Sequence, residues 1–140
     1  MNIVIVGAGP AGCLVAERLA LQGEKVSIYE EHRTIGRPVQ CTGLTTSSLK
    51  KVVKVDDECI INVVSTAKIF APNGKFMEVK LRRGNIVLDR ECFDKTMAER
   101  AEAAGAKLLV GRKVVNARRI NADSLFGADV LTAAVARGFG

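Results

Sequence analysis

Hydrophobic and polar positions follow two different periods along the first thirty residues. Asn2–Val6 is almost continuously apolar, which predicts a strand buried on both faces, as in a parallel sheet. A helical pattern then runs to about Gln22 and ends at Gly23, and Lys25–Tyr29 returns to a strand pattern. The chain therefore opens with the strand, helix and strand of a parallel β-α-β unit.

The middle of the chain changes to antiparallel patterns. Thr46–Val53 is predicted as a short helix and Cys59–Val64 as a strand. Two further apolar runs, Thr66–Ala71 and Phe76–Leu81, flank a Pro-Asn-Gly-Lys turn and predict a β-hairpin. In the second arm apolar and charged residues alternate, so we expect one buried face and one wet face.

Later segments return to short strands and one long helix. Ile86–Leu88 is predicted as a strand, and Asp89 as the N-cap of a helix over Arg90–Ala104. Lys107–Val110 and Val114–Ala117 are predicted as strands that return to the first sheet. The segment 121–140 is rich in Ala and Gly and carries no strong signal. We therefore assign 1–44 and 86–120 to one α/β domain, 45–85 to an inserted antiparallel sheet, and 121–140 to an atypical tail.

A glycine-rich turn joins the first strand to the first helix. Gly7, Gly9 and Gly12 have the spacing G-x-G-x-x-G, and Glu30 closes the second strand 18 positions after Gly12. In a dinucleotide-binding turn the first Gly permits the tight bend, the second lets the backbone approach a pyrophosphate, and the third lets helix and strand pack closely. The acid accepts hydrogen bonds from the ribose, and a carboxylate there favours FAD or NAD over a 2′-phosphate. The alternative is a turn kept only for packing.

The composition restricts which partners, locations and metal sites are expected, but it does not indicate a function by itself. The 140 residues carry a net charge of +6, which is either an ordinary solvated surface or an attraction to an anionic partner such as a membrane surface. No stacking aromatics interleave the charges, so nucleic acid is not expected. We expect no membrane span and no signal peptide, and a cytoplasmic chain, peripheral to the membrane at most. The four cysteines lack C-x-x-C spacing, so we expect reduced thiols, no disulfide and no metal site.

Three motifs in this order resemble the geranylgeranyl reductase family, and within it the archaeal digeranylgeranylglycerophospholipid reductases. They are GAGPAG with Glu30, GRPVQCTG at 36–43, and LDRECFD at 88–94 ahead of a helix, and the resemblance covers about residues 1–118. It implies an α/β fold: a Rossmann-like, FAD-binding, three-layer domain of the aromatic-hydroxylase type, with the start of an inserted antiparallel β-sheet.

The same resemblance implies a reaction and a set of site residues. FAD, reduced by an external electron donor, saturates C=C bonds in the isoprenoid chains of archaeal membrane phospholipids, at the membrane surface. The implied cofactor-binding residues are Gly7, Gly9, Ala11, Gly12, Glu30, Arg33, Cys41, Thr42, Gly43, Leu44, Arg90 and Val114. Cys41 is the one expected catalytic residue, shaping the cavity or supplying a proton, with a simple packing role as the alternative. Arg90 is expected to meet the cofactor, the alternative being a solvated arginine, and His32 is expected in solvent without chemistry.

The length of the chain departs from the family, whose members are two to three times longer. We expect a truncated or frameshifted product or one half of a split flavoprotein, with weak flavin retention and little reductase activity without a complementary C-terminal chain. A non-catalytic dinucleotide-binding remnant and an FAD monooxygenase are the alternatives. An NAD dehydrogenase is disfavoured because the hairpin interrupts the alternation of strands and helices.

Overall fold

The computed structural model describes residues 1–129 and 134–139. Two compact units are present: Met1–Pro38 with Asp94–Gly140 forms unit 1, and Val39–Phe93 forms unit 2. The strands are β1 (Asn2–Val6), β2 (Lys25–Tyr29), β3 (Leu44–Thr46), β4 (Ile60–Phe70), β5 (Phe76–Leu88), β6 (Lys107–Leu109) and β7 (Ser124–Gly127). The helices are α1 (Pro10–Leu21), α2 (Arg90–Ala103) and α3 (Ala134–Phe139), with 3-10 turns at Ser47–Lys51, Asp57–Cys59 and Ala117–Arg119.

Unit 1 contains a parallel sheet with strand order β6-β2-β1-β7. Ile3 of β1 lies between Val26 of β2 and Ser124 of β7, so β1 is central. The last four residues of β1 are buried, as the continuous apolar run predicts for a strand covered on both faces. The predicted Rossmann-like fold with a second, antiparallel sheet is confirmed.

The connection between β6 and β7 differs from the prediction. Val114–Ala117 is not a strand: the Asn116 side chain accepts a hydrogen bond from the Arg118 N–H, and the backbone turns into a 3-10 turn. The strand that pairs with β1 on the side away from β2 is Ser124–Gly127. It lies in the segment where the sequence carries no strong signal. The Asp123 side chain accepts a hydrogen bond from the Asn2 N–H at 2.7 Å, and this contact with β1 fixes where the new strand starts.

Unit 2 contains an antiparallel sheet with strand order β3-β5-β4. The segments predicted as four short strands are two long ones, β4 and β5. The register of their pairing shifts between Val64, which pairs with Asn85, and Thr66, which pairs with Lys80. The predicted turn is present: Gly74 has a φ of +82°, and the Ala71 N–H donates to the Lys75 carbonyl at 2.7 Å. The predicted helix over 46–53 is a 3-10 turn instead.

The expectation that all four cysteines are reduced is wrong. Cys59 and Cys92 form a disulfide with a Cα–Cα distance of 5.5 Å, an ordinary separation for this bond. The hairpin returns the chain to its starting point, so the residue just before β4 lies beside the first turn of α2. The Asp89 N–H donates to the Cys59 carbonyl at 2.9 Å, and the Asp89 side chain accepts from the Cys92 N–H, as its predicted N-cap role requires.

Candidate dinucleotide-binding site

The turn from β1 into α1 has the geometry that phosphate binding needs. Gly9 is the N-cap in an extended conformation, and Pro10 is the first helical residue, where its missing N–H costs nothing. The first helical hydrogen bond runs from the Cys13 N–H to the Gly9 carbonyl at 3.0 Å. The N–H groups of Ala11 and Gly12 therefore precede the helical ladder, at the positive end of the helix.

The three glycines of the turn have different surroundings. A Cβ added to Gly9 would meet no heavy atom within 4 Å, and its backbone is in an ordinary conformation. A Cβ on Gly12 would strike the carbonyl oxygen of Gly7, and one on Gly7 would lie 2.6 Å from the carbonyl oxygen of Ala128. Gly7 and Gly12 are thus required by packing within the protein, whereas the space at Gly9 is open to a ligand.

The carboxylate of Glu30 lies directly beside this turn. One oxygen accepts a hydrogen bond from the Ala8 N–H at 2.8 Å, and the other accepts from the His32 N–H at 2.9 Å. The side chain is only 13% exposed. Two carboxylate oxygens offer about four acceptor positions, so capacity for a ribose hydroxyl remains beside these bonds and the His32 ring.

His32 is the residue that sequence reasoning missed. Its side chain is 38% exposed, so it meets solvent as expected, but its Nδ1 also lies 2.6 Å from a Glu30 oxygen. The signal in the sequence was its position two residues after the acid, from which a ring nitrogen reaches back to the carboxylate. His32 therefore helps to orient Glu30.

The loop after β6 wraps around the end of β2. The Arg112 N–H donates to the Glu30 carbonyl at 2.7 Å, and the Gly111 N–H donates to the His32 carbonyl at 2.9 Å. Lys113 pairs with Glu31 at 2.8 Å, and this hydrogen bond lowers the pKa of Glu31. The backbone around Glu30 is therefore held by a second segment of unit 1.

Two predicted cofactor residues lie on or beside this loop. Arg33 is exposed, and its side chain lies close to Gly111. A Cβ added to Gly111 would lie 3.6 Å from the Cγ of Arg33. Val114 lies in irregular structure rather than on the predicted strand. It lines an open cleft of about 710 Å³ together with Lys113, Val115, Asn116, Arg118, Arg137 and Gly138.

Cys13 lies beneath the glycine-rich turn rather than in the open space. Its side chain is fully buried, and its thiol donates to the Ala8 carbonyl at 3.3 Å. Burial first, and then the negative charges of Asp94, Glu30 and Glu102, raise the pKa of the Cys13 thiol to about 12. It is therefore a small, neutral packing group that supports the turn.

The remaining predicted residues belong to unit 2 or to its boundary. Cys41 is an exposed thiol and Thr42 is exposed too, while Gly43 is buried with a φ of +72° against the backbone of Leu88. Leu44 begins β3 and is 54% exposed. Arg90 is the first residue of α2 and is half-buried. The positive φ of Gly43 and its close contact with the Leu88 backbone explain why the GRPVQCTG motif ends in glycine.

Comparisons with known proteins agree with this site. The model of the NAD(P)-binding Rossmann-like domain matches residues 5–50. A solved geranylgeranyl bacteriochlorophyll reductase-like protein from Thermoplasma acidophilum superposes with a TM-score of 0.71 at 32% identity, over 79% of this chain and 30% of that one. A 2-methyl-3-hydroxypyridine-5-carboxylic acid oxygenase shares the fold alone, with a TM-score of 0.74 at 19% identity over 99% of this chain and 42% of that one.

Sequence relatives point to one family. Digeranylgeranylglycerophospholipid reductase from Methanothrix thermoacetophila is 33% identical over 86% of this chain and 32% of its own length. An uncharacterized protein in the nifH2 5′ region of Methanosarcina barkeri is 31% identical over 99% of this chain and 87% of its own length. The second alignment extends beyond Asn121, where we expected the resemblance to stop. The chain spans about a third of the length of the reductases that it matches.

Fold and glycine-rich turn together define a Rossmann-like dinucleotide-binding protein. The agreement of sequence and structural relatives narrows this class further. The chain belongs to the geranylgeranyl reductase family, as its three motifs predict. Among the described residues, no helix is long and apolar enough to cross a bilayer.

Proposed function

We propose that unit 1 binds FAD and that the chain corresponds to the N-terminal part of a flavin-dependent reductase. The observation that carries the proposal is the open space at Gly9, which faces the start of α1 with Glu30 beside it. The N–H groups and positive end of α1 suit a pyrophosphate, and the Glu30 carboxylate suits a ribose diol. The carboxylate also disfavours the 2′-phosphate of NADP.

The remaining contacts of the cofactor are proposed from the family resemblance. Gly7, Gly12 and Ala11 shape the pyrophosphate turn, while Arg33 and Val114 lie on the adenosine side. On the flavin side we propose the loop residues Cys41, Thr42, Gly43 and Leu44, together with Arg90, whose guanidinium suits phosphate oxygens. Cys41 is the proposed catalytic residue, because an exposed thiol can deliver a proton to a neighbouring carbon.

The proposed reaction is the saturation of C=C bonds in the isoprenoid chains of membrane phospholipids. When bound and reduced by an external electron donor, the flavin supplies the hydride for such a reduction. The relatives that carry the reductase name are about three times as long as this chain. From the family resemblance we propose that a complementary C-terminal polypeptide takes part in this reaction, at the surface of a membrane.

Equilibrium titration of the purified chain with FAD, followed by flavin fluorescence, tests the cofactor proposal. Glu30→Ala removes the ribose acceptor and should weaken FAD binding about tenfold or more. Glu31→Ala is the matched control, because this neighbouring carboxylate pairs with Lys113 at the surface and should change FAD affinity little. Equal affinity of both variants and the original chain would contradict the proposal, as would tighter binding of NAD than of FAD.

A second candidate is a dinucleotide-binding protein without reductase activity. The observation behind it is the glycine-rich turn itself, because its geometry suits a dinucleotide whatever reaction follows. FAD binding by the chain, with no reduction of a geranylgeranyl lipid after addition of a C-terminal polypeptide from a full-length relative, would favour this candidate. Restored reduction, lost again with Cys41→Ser, would favour the reductase.

A further inference from the structure

The outer part of the β4–β5 hairpin has one continuous apolar face. We call residues 66–80 the hairpin arm. Ala67 pairs with Val79 and Ile69 pairs with Met77, and paired residues of antiparallel strands project to the same side. Ile69 is 57% exposed and Met77 is 60% exposed. Four apolar side chains thus form a single face that is largely open to solvent.

The opposite face and the tip of the hairpin arm have a different character. Thr66 pairs with Lys80, and Lys68 pairs with Glu78, 3.9 Å between charged atoms. At the tip the rings of Phe70 and Phe76 lie 5.4 Å apart, and the Lys68 ammonium lies 5.1 Å from the centre of the Phe76 ring. The hairpin arm is therefore amphipathic, and the two phenylalanine rings lie at its tip on the same face as Lys68 and Glu78.

Charge decides which kind of partner fits this surface. The hairpin arm contains three basic side chains and one acidic one, Lys68, Lys75 and Lys80 against Glu78, and Arg82 and Arg83 follow it in β5. A second copy would bring the same positive charge to the interface. Pairing between β4 edges is also disfavoured, because a lysine on an edge strand and the shifts in the pairing of β4 both oppose strand addition.

We propose that the hairpin arm docks on the surface of an anionic lipid bilayer. The apolar face enters the interfacial region, and the basic side chains contact the phosphate groups of the lipids. An apolar face combined with flanking lysine and arginine is the combination that binds anionic membrane surfaces. This inference rests on the membrane location proposed above, but it needs neither FAD nor a C-terminal polypeptide.

Flotation of the chain with lipid vesicles tests the inference. One set of vesicles is phosphatidylcholine alone, and the other is equimolar phosphatidylcholine and phosphatidylglycerol. The double variants Ile69→Ser/Met77→Ser and Lys75→Glu/Lys80→Glu remove the apolar face and the charge, respectively. Both should weaken binding to the anionic vesicles about tenfold or more.

Matched controls separate docking from general stickiness. Leu21→Ser changes an apolar residue that is 66% exposed on α1, and Lys107→Glu reverses an exposed charge on β6, so neither should alter vesicle binding. Circular dichroism checks folding. Weaker binding of the original chain at high salt provides a test without mutation, because salt screens the attraction between lysine and phosphate.

The possible results divide clearly. Binding to anionic vesicles alone, lost in both double variants and kept in both controls, supports the inference. Equal binding to neutral vesicles, or binding that neither double variant changes, overturns it. A chain that stays off vesicles but dimerises through Ile69 and Met77 in sedimentation overturns it in favour of a second copy. Failure to bind FAD with intact vesicle binding would contradict only the cofactor proposal.

Discussion

Replacing each glycine of the turn by alanine separates a ligand site from a packing requirement. Gly9→Ala adds a methyl group where no heavy atom lies within 4 Å, so the fold should accept it. Gly12→Ala places the same methyl group against the Gly7 carbonyl oxygen, 3.2 Å from the Gly7 carbonyl carbon and 3.3 Å from the Ala128 Cβ. Backbone atoms cannot move aside as a flexible side chain can, so this substitution forces β1, α1 and β7 apart.

The expected magnitudes differ accordingly. For Gly12→Ala, overpacking against backbone should cost about 3 kcal/mol or more of unfolding free energy. For Gly9→Ala, alanine is a poorer N-cap, but it also lowers the entropy of the unfolded chain, and each effect is about 0.5 to 1 kcal/mol. Stability should therefore change by less than about 1 kcal/mol. FAD affinity should nevertheless fall about tenfold or more, because the methyl group occupies the space that the pyrophosphate needs.

Urea denaturation and FAD titration of both variants measure these effects. Gly23→Ala provides the control: Gly23 has a φ of +85° and open space around it, so alanine strains the backbone there without approaching the proposed site. It should lower stability by about 1 to 2 kcal/mol and leave FAD affinity unchanged. A Gly9→Ala chain that binds FAD as tightly as the original would refute the assignment of the open space to the pyrophosphate.

Three further predictions concern the cysteines. Cys59→Ala/Cys92→Ala should lower the unfolding free energy by about 3 to 4 kcal/mol in urea denaturation, because the disulfide joins residues 33 apart in sequence; an unchanged midpoint would contradict this. Because burial raises the pKa of Cys13 from 9.0 to about 12, the unfolded chain ionises first, and stability should fall as pH rises above about 9. At about pH 10 the loss should be about 1 kcal/mol, and it should be absent in Cys13→Ala. At about pH 8 a thiol reagent should label Cys41 rapidly and Cys13 only after unfolding, because the first is exposed and the second buried; rapid labelling of both would contradict the burial.

The sequence was a good guide where local chemistry decides the structure. β1, α1 and β2 lie at the predicted positions because an apolar run, a proline at the helix start and a glycine at its end each act within a few residues. The hairpin turn was predictable for the same reason, since a Pro-Asn-Gly sequence bends the chain whatever surrounds it.

Contacts between distant segments were beyond prediction. The disulfide depends on the hairpin returning the chain beside its own start, and neither cysteine shows this in its neighbouring residues. Likewise, β4 and β5 continue through segments that look like breaks, because pairing between the strands supports residues with weak strand preference of their own. His32 was missed because its role depends on the Glu30 carboxylate being turned toward the glycine-rich turn.

The residue that follows the unpredicted strand β7 packs against the glycine-rich turn of the candidate site. The Ala128 N–H donates to the Val6 carbonyl at 2.7 Å, and the carbonyl of Ala128 lies where a side chain on Gly7 would be. The tight turn at Gly7 is thus required by a residue more than a hundred positions away, in a segment whose own sequence carries no strong signal. Because β7 pairs with the central strand and also closes the turn, the glycine-rich motif needs this late segment to hold its shape.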